Sequence, residues 1–209
     1  MEWKKGESDD GRDSYAVQIA NENYWPELND VIFLISKGAK KVSTNAGHER
    51  TVETSALYKA RPAAAEASAA KAVAAIRKKD FNTLAEVIMR DSNSLHATML
   101  DSYPPIRYMT DDSWAVVNAV ELLNAEKGMN VAAYTFDAGP NAHVITSDEF
   151  VMEIKSRVRE ILPAVDSIES KAGSGPRLLT RGPELIDNET LQPIFYEKDA
   201  LIKEVRLRP

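Results

Sequence analysis

Apolar positions along the chain predict short strands separated by longer amphipathic helices. Two runs, residues 131–136 and 142–146, are rich in β-forming side chains and predict the two strands of a hairpin. The residues between them include Gly139 and Pro140, which favour a turn at that point. A third run, residues 31–35, is apolar without interruption and predicts a strand buried on both faces.

Helical patterns occupy most of the remaining chain. Asp80 has the character of an N-cap, and Gly128 has that of a helix C-terminus. Five helices are predicted. The first follows residues 51–55, the second spans 63–79, and the third runs from Asp80 towards Pro104. The fourth runs from Asp111 to Gly128, and the fifth follows a Thr146-x-x-Glu149 capping box and has Ile161 among its core positions.

Two further strands complete the predicted set. Residues 2–14 are polar and predict a loop, whereas residues 15–19 alternate as a strand does. A last strand is expected within residues 165–179, and residues 181–209 show no regular pattern. This order of elements predicts an α+β fold in which a mostly antiparallel sheet is covered by helices on one face.

Composition excludes several classes of function. The net charge of −6 and the pI near 5.2 argue against a nucleic-acid partner. The absence of cysteine excludes disulfides, thiolate metal sites and a cysteine nucleophile. No apolar run approaches the ~18 residues of a membrane span, and the N-terminus lacks a signal-peptide core, so a cytoplasmic protein without a membrane contact is expected.

Asp137 is the strongest candidate for chemistry. It follows a predicted strand directly and precedes a Gly-Pro loop whose backbone can approach a ligand closely. A simpler interpretation is that Asp137 only caps the turn. A second candidate is the small polar segment around Ser43 and Thr44, because hydroxyls and free N–H groups ahead of a helix suit a phosphate. An ordinary N-cap loop is the alternative there.

A third polar cluster lies within a predicted helix, where Asp91, Ser92, Asn93 and His96 fall on successive turns. The favoured interpretation for most of them is a buried polar network that holds the helix against the sheet. Contact with a substrate is the alternative.

Three blocks of the sequence together resemble the diphosphomevalonate decarboxylases of the GHMP kinase superfamily. They are T-V-E-T-S at 51–55, D-S-N-S-L-H-A-T-M-L-D-S-Y-P-P-I at 91–106 and T-F-D-A-G-P-N-A at 135–142. The resemblance covers residues 2 to about 179 and begins half-way through the family's length. It implies a ferredoxin-like GHMP C-terminal domain at 28–180, preceded at 1–27 by a loop and strand of the N-terminal domain and followed by an irregular tail at 181–209.

The resemblance implies ATP-dependent decarboxylation of mevalonate 5-diphosphate to isopentenyl diphosphate, a step of isoprenoid and sterol biosynthesis. Asp137 matches the family residue that meets the substrate hydroxyl. ATP and Mg²⁺ are expected mainly in an N-terminal half outside these residues, so the 209-residue chain alone is expected to be inactive. No metal ligand is expected in the chain, and the family suggests a homodimer. The substrate- and phosphate-binding candidates are Ser43, Thr44, Asn45, Gly47, Ala138 and Gly139, with His48, Asn93 and His96 as further candidates.

Two alternatives remain beside this interpretation. One is a related kinase that acts on mevalonate or its monophosphate without decarboxylation, which the intact 135–142 block disfavours. The other is a non-catalytic GHMP-like domain that pairs with a partner chain. The sequence assigns no role to His143, which stands beside that block.

Overall fold

The computed structural model describes residues 1–8, 10–36, 38 and 42–174. Nearly all of these belong to one compact unit, Met1–Gly173. The predicted domain boundary at residue 180 and the predicted tail lie outside the described residues. Within the described part, no helix is both long and apolar enough to cross a lipid bilayer.

The unit contains six strands and five α-helices among its described residues. The strands are β1 Glu2–Lys4, β2 Tyr15–Val17, β3 Leu28–Leu34, β4 Ala132–Phe136, β5 Ala142–Ser147 and β6 Asp166–Lys171. The helices are α1 Thr44–Thr54, α2 Arg61–Lys78, α3 Phe81–Asp101, α4 Asp111–Lys127 and α5 Val151–Ile161, with single 3-10 turns at Leu57–Ala60 and Asp148–Phe150.

The main sheet has four strands in the order β4-β5-β3-β6, and every pairing is antiparallel. Along the chain these strands and helices follow the β-α-β-β-α-β order of ferredoxin-like folds, with several helices between the first two strands. The predicted α+β class and the antiparallel sheet are therefore confirmed. A separate two-stranded hairpin, β1 with β2, lies outside this sheet.

The core lies on one face of the sheet. Val31 and Phe33 of β3 and Val144 of β5 are completely buried against helices α4 and α5. Because strand residues alternate between faces, their neighbours Ile32 and Leu34 point to the other face and are only partly buried. The prediction of a strand buried on both faces is therefore wrong, since the described helices form the core on one side of β3 only. The helix residues of this core include Val116, Val120, Leu123, Ile154 and Val158.

Helix side chains satisfy the free edge of β4. Asn124 of α4 accepts hydrogen bonds from the N–H groups of Val131 and Ala132, and it donates to the carbonyl of Ala132. At the other end of the strand, side chains of α3 bond both backbone groups of Phe136. An uncovered edge strand invites pairing with another chain, so these bonds close the sheet on that side.

Two helix starts differ from the sequence predictions. Helix α1 begins at Thr44, because Ser43 Oγ accepts a hydrogen bond from the N–H of Ala46 and caps it. The segment 51–55, predicted to precede a helix, is instead its last turn. Thr146 does not cap α5, because it belongs to β5 and donates its hydroxyl to the carbonyl of Val131 at 2.7 Å.

Other boundaries follow the predictions more closely. Asp80 caps α3, and Gly128 ends α4 with a positive φ of 67°. Residues 2–14 are not one loop, because Glu2–Lys4 pairs with β2. Ile161, predicted to face the core, is half-exposed at the end of α5.

Candidate active site

Asp137 lies in a tight turn at the end of the sheet where several elements meet. The N–H of Gly139 donates to the carbonyl of Asp137 at 2.8 Å, which closes a three-residue turn. Ser113, in the first turn of α4, donates its hydroxyl to the carbonyl of Pro140 at 2.8 Å. Ser36, just after β3, donates its N–H to the side chain of Asn141 at 2.9 Å. The turn is thus held by β3 on one side and α4 on the other.

Both backbone groups of Phe136, the residue before Asp137, form hydrogen bonds with side chains of helix α3. The N–H of Phe136 donates to Ser92 Oγ at 3.1 Å, and Nε2 of His96 lies 3.2 Å from the carbonyl of Phe136. Ser92 and His96 are one helical turn apart on α3, and both are buried. Because Phe136 is anchored at both groups, the starting position of the Asp137 carboxylate is set by helix α3.

The surroundings of His96 favour its neutral form. Burial lowers the pKa of His96, and this effect exceeds the smaller raising effects of the Phe136 carbonyl and the Asp137 charge. In the neutral ring, Nε2 carries the proton that bonds the carbonyl. His96 therefore serves as a hydrogen-bond donor that holds the strand end.

Tyr108 joins the start of α1 to the Asp137 turn. Its hydroxyl donates to the carbonyl of Ser43 at 3.3 Å, and its ring belongs to the same apolar cluster as Ala138. Gly47 makes this approach possible, because a Cβ at that position would lie 2.4 Å from the Tyr108 hydroxyl. The segment predicted to bind phosphate and the turn that carries Asp137 therefore share one side chain. Met99 and Ile106 complete the cluster, with Val42 packed against it.

Two helices begin beside the turn. The N-termini of α1 and α4 both carry backbone N–H groups that have no acceptor within their own helix. Ser43 caps the first, and Thr110 with Ser113 forms a capping box at the second. Helix N-termini favour anions, so the surroundings of the turn suit a negatively charged ligand.

The remaining candidates at α1 differ in exposure. Thr44 is half-buried, whereas Asn45 and His48 are exposed, and these three side chains make no hydrogen bond with the described residues. Gly47 is buried against Tyr108 and presents no side chain. The described contacts do not join His48 to Asp137.

The polar residues at the middle of α3 form the predicted network. Asn93 donates to the Tyr134 hydroxyl at 3.0 Å, and Ser92 and His96 hold Phe136, so three members fix α3 against β4. Asp91 differs, because it forms a two-pronged ion pair with Arg61 of α2, with both N–O distances at 2.8 Å. Asn93 and His96 also line a cavity of about 490 Å³ between α3 and α4.

Sequence reasoning missed a pair of a histidine and a carboxylate on the sheet face opposite the core. Nδ1 of His143 on β5 lies 2.9 Å from Oδ2 of Asp30 on β3. This hydrogen bond raises the pKa of His143, burial opposes the rise, and the charges of Asp30 and Asp137 add to it. The two-residue period of the strands was the available signal, since it places both side chains on the face opposite the core.

Metal ligands are not gathered anywhere in the described part of the chain. No group of three or more His, Cys, Asp or Glu side chains there could hold a metal ion.

Comparison with known proteins points to one family. The family model described as "Mevalonate 5-diphosphate decarboxylase C-terminal domain" matches residues 30–203. The chain is 43% identical over 164 residues to the diphosphomevalonate decarboxylase of Bos taurus, a match that covers 78% of this chain and 41% of the relative. It is 44% identical over 161 residues to that of Aspergillus fumigatus, with 77% and 40% covered.

A solved structure shows the same fold. The structure of "MDDEF in complex with MVAPP, AMPPCP and Magnesium" matches with a TM-score of 0.74 and 32% identity, covering 83% of this chain and 52% of that one. The chain spans about two fifths of the length of the curated relatives it matches.

Proposed function

The chain belongs to the family of mevalonate 5-diphosphate decarboxylase C-terminal domains, and from this we propose that it supplies Asp137 to an ATP-dependent decarboxylase of mevalonate 5-diphosphate. The product is isopentenyl diphosphate, with ADP, phosphate and carbon dioxide released. One observation carries the proposal. The family match spans residues 30–203, and within them the turn of Asp137 lies where β3, β4 and the starts of α1 and α4 meet.

Asp137 acts on the tertiary hydroxyl of the substrate. A hydroxide is a poor leaving group, so this oxygen must first be phosphorylated. The carboxylate accepts the hydroxyl proton, or holds it in line, while the oxygen bonds the transferred phosphoryl group and ADP departs. Asp137 is exposed in the turn, so a substrate can reach it.

The same carboxylate assists the second half of the reaction. Departure of phosphate leaves a cation-like carbon, which a nearby negative charge stabilises. The bond to the substrate carboxylate then breaks, its electron pair forms the new double bond, and carbon dioxide leaves. The hydrogen bonds at Phe136 serve this step as well, because they keep Asp137 in place as the charge of the substrate changes.

The diphosphate is assigned to the start of α1. Ser43, Thr44 and Asn45 stand at its first turn, where backbone N–H groups face outward. Gly47 contributes by admitting Tyr108, which links this helix to the turn. The N–H of Gly139 is engaged by the carbonyl of Asp137, so Ala138 is the better candidate of the two for a backbone contact to substrate. His48, Asn93 and His96 stand as further candidates, of which His96 has a structural role as well.

ATP and Mg²⁺ are assigned to the part of the enzyme that this chain does not span. The described residues hold no carboxylate cluster for a metal ion. The 209 residues also contain neither G-x-G-x-x-G nor G-x-x-x-x-G-K, the glycine-rich loops that cradle phosphates. When bound, ATP supplies the phosphoryl group, and Mg²⁺ neutralises part of the negative charge on the phosphates. A related structure bound to AMPPCP, an ATP analogue, and magnesium supports both.

Its partners and location follow from the same assignment. We assign the protein to the cytoplasm, as a homodimer that binds a small anionic substrate and neither nucleic acid nor membrane. The low pI supports the absence of nucleic acid. A non-catalytic domain paired with a partner chain is the second candidate, but the exposed Trp3 and Tyr15 of the β1–β2 hairpin do not favour it, because they suit the N-terminal part of a decarboxylase equally.

The test uses a chimera in which residues 30–203 replace the matching part of the Bos taurus relative. We expect the chimera to release carbon dioxide from mevalonate 5-diphosphate. Asp137→Asn should reduce its turnover by roughly 10²–10⁴, the contribution typical of a positioned acid or base, with little change in ATP binding.

Glu66→Gln is the control for that substitution. Glu66 is an exposed carboxylate on α2, outside the elements that meet at the turn, and its loss should leave turnover within about twofold. A folded chimera in which Asp137→Asn keeps most of the activity would contradict the role of Asp137. A chimera that folds completely but has no activity would favour the non-catalytic candidate.

A further inference from the structure

The cavity of about 490 Å³ between helices α3 and α4 has two walls of helical side chains. Asn93, Ala97 and Leu100 form the α3 wall, and their spacing of four and three residues puts them on one face of that helix. Trp114 and Glu121, two turns apart on α4, form the opposite wall. The volume lies within the range of about 300–1,000 Å³ that is typical of small-molecule sites.

The lining of this cavity is mainly apolar and aromatic. Tyr108 and Tyr134 are buried beneath it, whereas the side chains of Leu100 and Trp114 are half-exposed at its rim. A ligand that covered these two side chains would remove apolar surface from water, which is favourable. Aromatic rings also pack well against one another, so the cavity suits a planar aromatic ring.

The charged side chains at the rim are one of each sign. Arg107 lies in the loop before α4 and is exposed, and it forms no hydrogen bond or ion pair with the described residues. Glu121 is exposed as well, and it accepts a long hydrogen bond from the Tyr134 hydroxyl at 3.4 Å. Because the two charges oppose each other, the rim favours neither an anion nor a cation, and an uncharged ligand fits best.

The polar groups deeper in the cavity have their donors engaged but an acceptor free. Asn93 donates its amide N–H to the Tyr134 hydroxyl at 3.0 Å, and that hydroxyl donates in turn to Glu121. Nε2 of neutral His96 donates to the carbonyl of Phe136 at 3.2 Å, which leaves Nδ1 as an acceptor.

This second ring nitrogen of His96 is the observation that points to a ligand. His96 is only 8% exposed, it lines the cavity, and its Nδ1 has no hydrogen-bond partner among the described residues. A polar atom in a buried side chain without a partner costs free energy. An N–H or O–H group on a molecule in the cavity would supply the missing hydrogen bond.

We propose that this cavity is a binding site for a small, uncharged aromatic molecule that donates an N–H or O–H group to Nδ1 of His96. The described residues that line it include neither Asp137 nor the first turn of α1, so the site is distinct from the catalytic turn. It adjoins that turn, because His96 and Tyr108 line the cavity and also hold Phe136 and the start of α1. The proposal is independent of the proposed function.

The first test titrates the full 209-residue chain with indole and, as the matched probe, with 1-methylindole, which has no N–H donor. The chain contains three tryptophans, and the side-chain N–H signal of Trp114 in NMR spectra is assigned with Trp114→Phe. We expect indole to shift this signal with a Kd on the order of 1 mM, as suits a fragment-sized ligand. 1-Methylindole should bind roughly three- to tenfold more weakly, because the hydrogen bond to His96 is lost.

The second test fills the cavity from its α3 wall. Ala97 is exposed, so Ala97→Phe should leave the fold intact while its ring occupies the space of the ligand, and we expect indole binding to weaken by about tenfold or more. Ala70→Phe is the matched control. Ala70 is an equally exposed alanine on α2, away from this cavity, and its replacement should leave the affinity unchanged.

Four results would overturn the proposal. Equal affinities for the two indoles would remove the hydrogen bond to His96, and unchanged binding to a folded Ala97→Phe variant would place the ligand elsewhere. Binding to the 209-residue chain that disappears in the chimera would show that the rest of the enzyme fills the cavity. Displacement of indole by mevalonate 5-diphosphate would make the cavity part of the substrate site.

The outcome for the catalytic role of Asp137 is separate. Asp137→Asn should leave indole binding unchanged, since Asp137 does not line the cavity. An inactive chimera that still binds indole through its N–H group would count against the proposed function and would support the cavity as a binding site.

Discussion

At the scale of single residues, folding shifts the pKa values of the two histidines near Asp137 in opposite directions. Burial lowers the pKa of His96, whereas the hydrogen bond that His143 donates to Asp30 raises that of His143. Nδ1 of His143 meets a carboxylate, but Nε2 of His96 meets a carbonyl. At His96 the effect of burial on the pKa outweighs that of the carbonyl, whereas at His143 the effect of the carboxylate outweighs that of burial. The two residues therefore make the stability of the fold depend on pH in opposite directions.

The contribution of His143 gives a prediction with a definite sign. Its folded pKa lies above the ordinary value of 6.5, so its stabilisation is fully present below pH 6.5 and is lost as pH rises through the folded pKa. We expect the difference in unfolding free energy between the wild-type chain and His143→Gln to be largest in mild acid and to shrink above neutrality. Urea unfolding at a series of pH values measures it.

His96→Gln is the contrasting variant. Because the folded pKa of His96 is lowered, its contribution is present above pH 6.5 and is lost as pH falls towards the folded pKa. The two variants should therefore show opposite pH trends. A His143→Gln difference that grows with pH would contradict the ion pair with Asp30.

At the scale of elements, helix α3 holds the end of β4, the strand that leads directly into Asp137. Ser92→Ala would leave the buried N–H of Phe136 without an acceptor, so we expect a loss of about 1–3 kcal/mol in unfolding free energy. Ser94, on the same helix, faces the groove between α2 and α3, so Ser94→Ala should reduce the unfolding free energy far less. Chemical denaturation of both variants measures the difference, and equal losses would show that the Ser92 bond is unimportant.

The contact between α1 and Tyr108 gives a second prediction at this scale. A Cβ on Gly47 would lie 2.4 Å from the Tyr108 hydroxyl but 3.5 Å from the ring carbon that bears it. Gly47→Ala should therefore displace Tyr108 and destabilise the fold by about 1–3 kcal/mol, partly offset by the better helix propensity of alanine. In a Tyr108→Phe background the clash is absent, so Gly47→Ala should be neutral or stabilising there.

A double-mutant cycle with thermal unfolding tests this coupling. The interaction term should be favourable, since the two substitutions together cost less than the sum of each alone. Additive effects would mean that Tyr108 can move away from Gly47 without loss.

Some boundaries of the helices and strands could be predicted from the sequence, and others could not. Local signals were sufficient for Asp80 as a cap and Gly128 as a helix end, because both act within one helical turn. They failed where a distant partner decided the outcome. Thr146 has the spacing of a capping box, but β5 pairing and the carbonyl of Val131 hold it in a strand. Ile32 is apolar yet only partly buried, because it points away from the face that α4 and α5 cover, and the uninterrupted apolar run at 31–35 does not show which of its residues do so.

The candidate site divides in the same way. The turn after β4 and the polar network of α3 were predicted from the sequence and are present in the structure, whereas the role of Asp137 stays a prediction. Tyr108 and Ser113 could not, because each reaches the site through a contact with a residue far away in the chain, Ser43 and Pro140 respectively. The pairing of Asp30 with His143 spans 113 residues and depends on strand register, which composition does not determine.

At the scale of the whole molecule, stability and activity have separate requirements. The described unit contains a core of completely buried residues from three strands and two helices, including Phe33, Val120, Phe136 and Ile154. Such a core is enough to expect cooperative folding of the polypeptide by itself. The site, by contrast, offers Asp137 and two helix starts, with no group in the described part that would hold a nucleotide's metal ion.

We therefore predict that the 209-residue polypeptide folds when produced alone but does not catalyse the reaction. Phosphoryl transfer depends almost entirely on the positioning and electrostatic stabilisation of ATP, and Asp137 can orient a hydroxyl without placing a phosphate opposite it. The measurement is carbon dioxide release from mevalonate 5-diphosphate, ATP and Mg²⁺, first with the chain alone and then with the remaining part of the Bos taurus relative added as a separate chain. The supplemented mixture should gain activity, and Asp137→Asn in this chain should abolish most of that gain. Steady release from the polypeptide alone would show that its own residues position ATP.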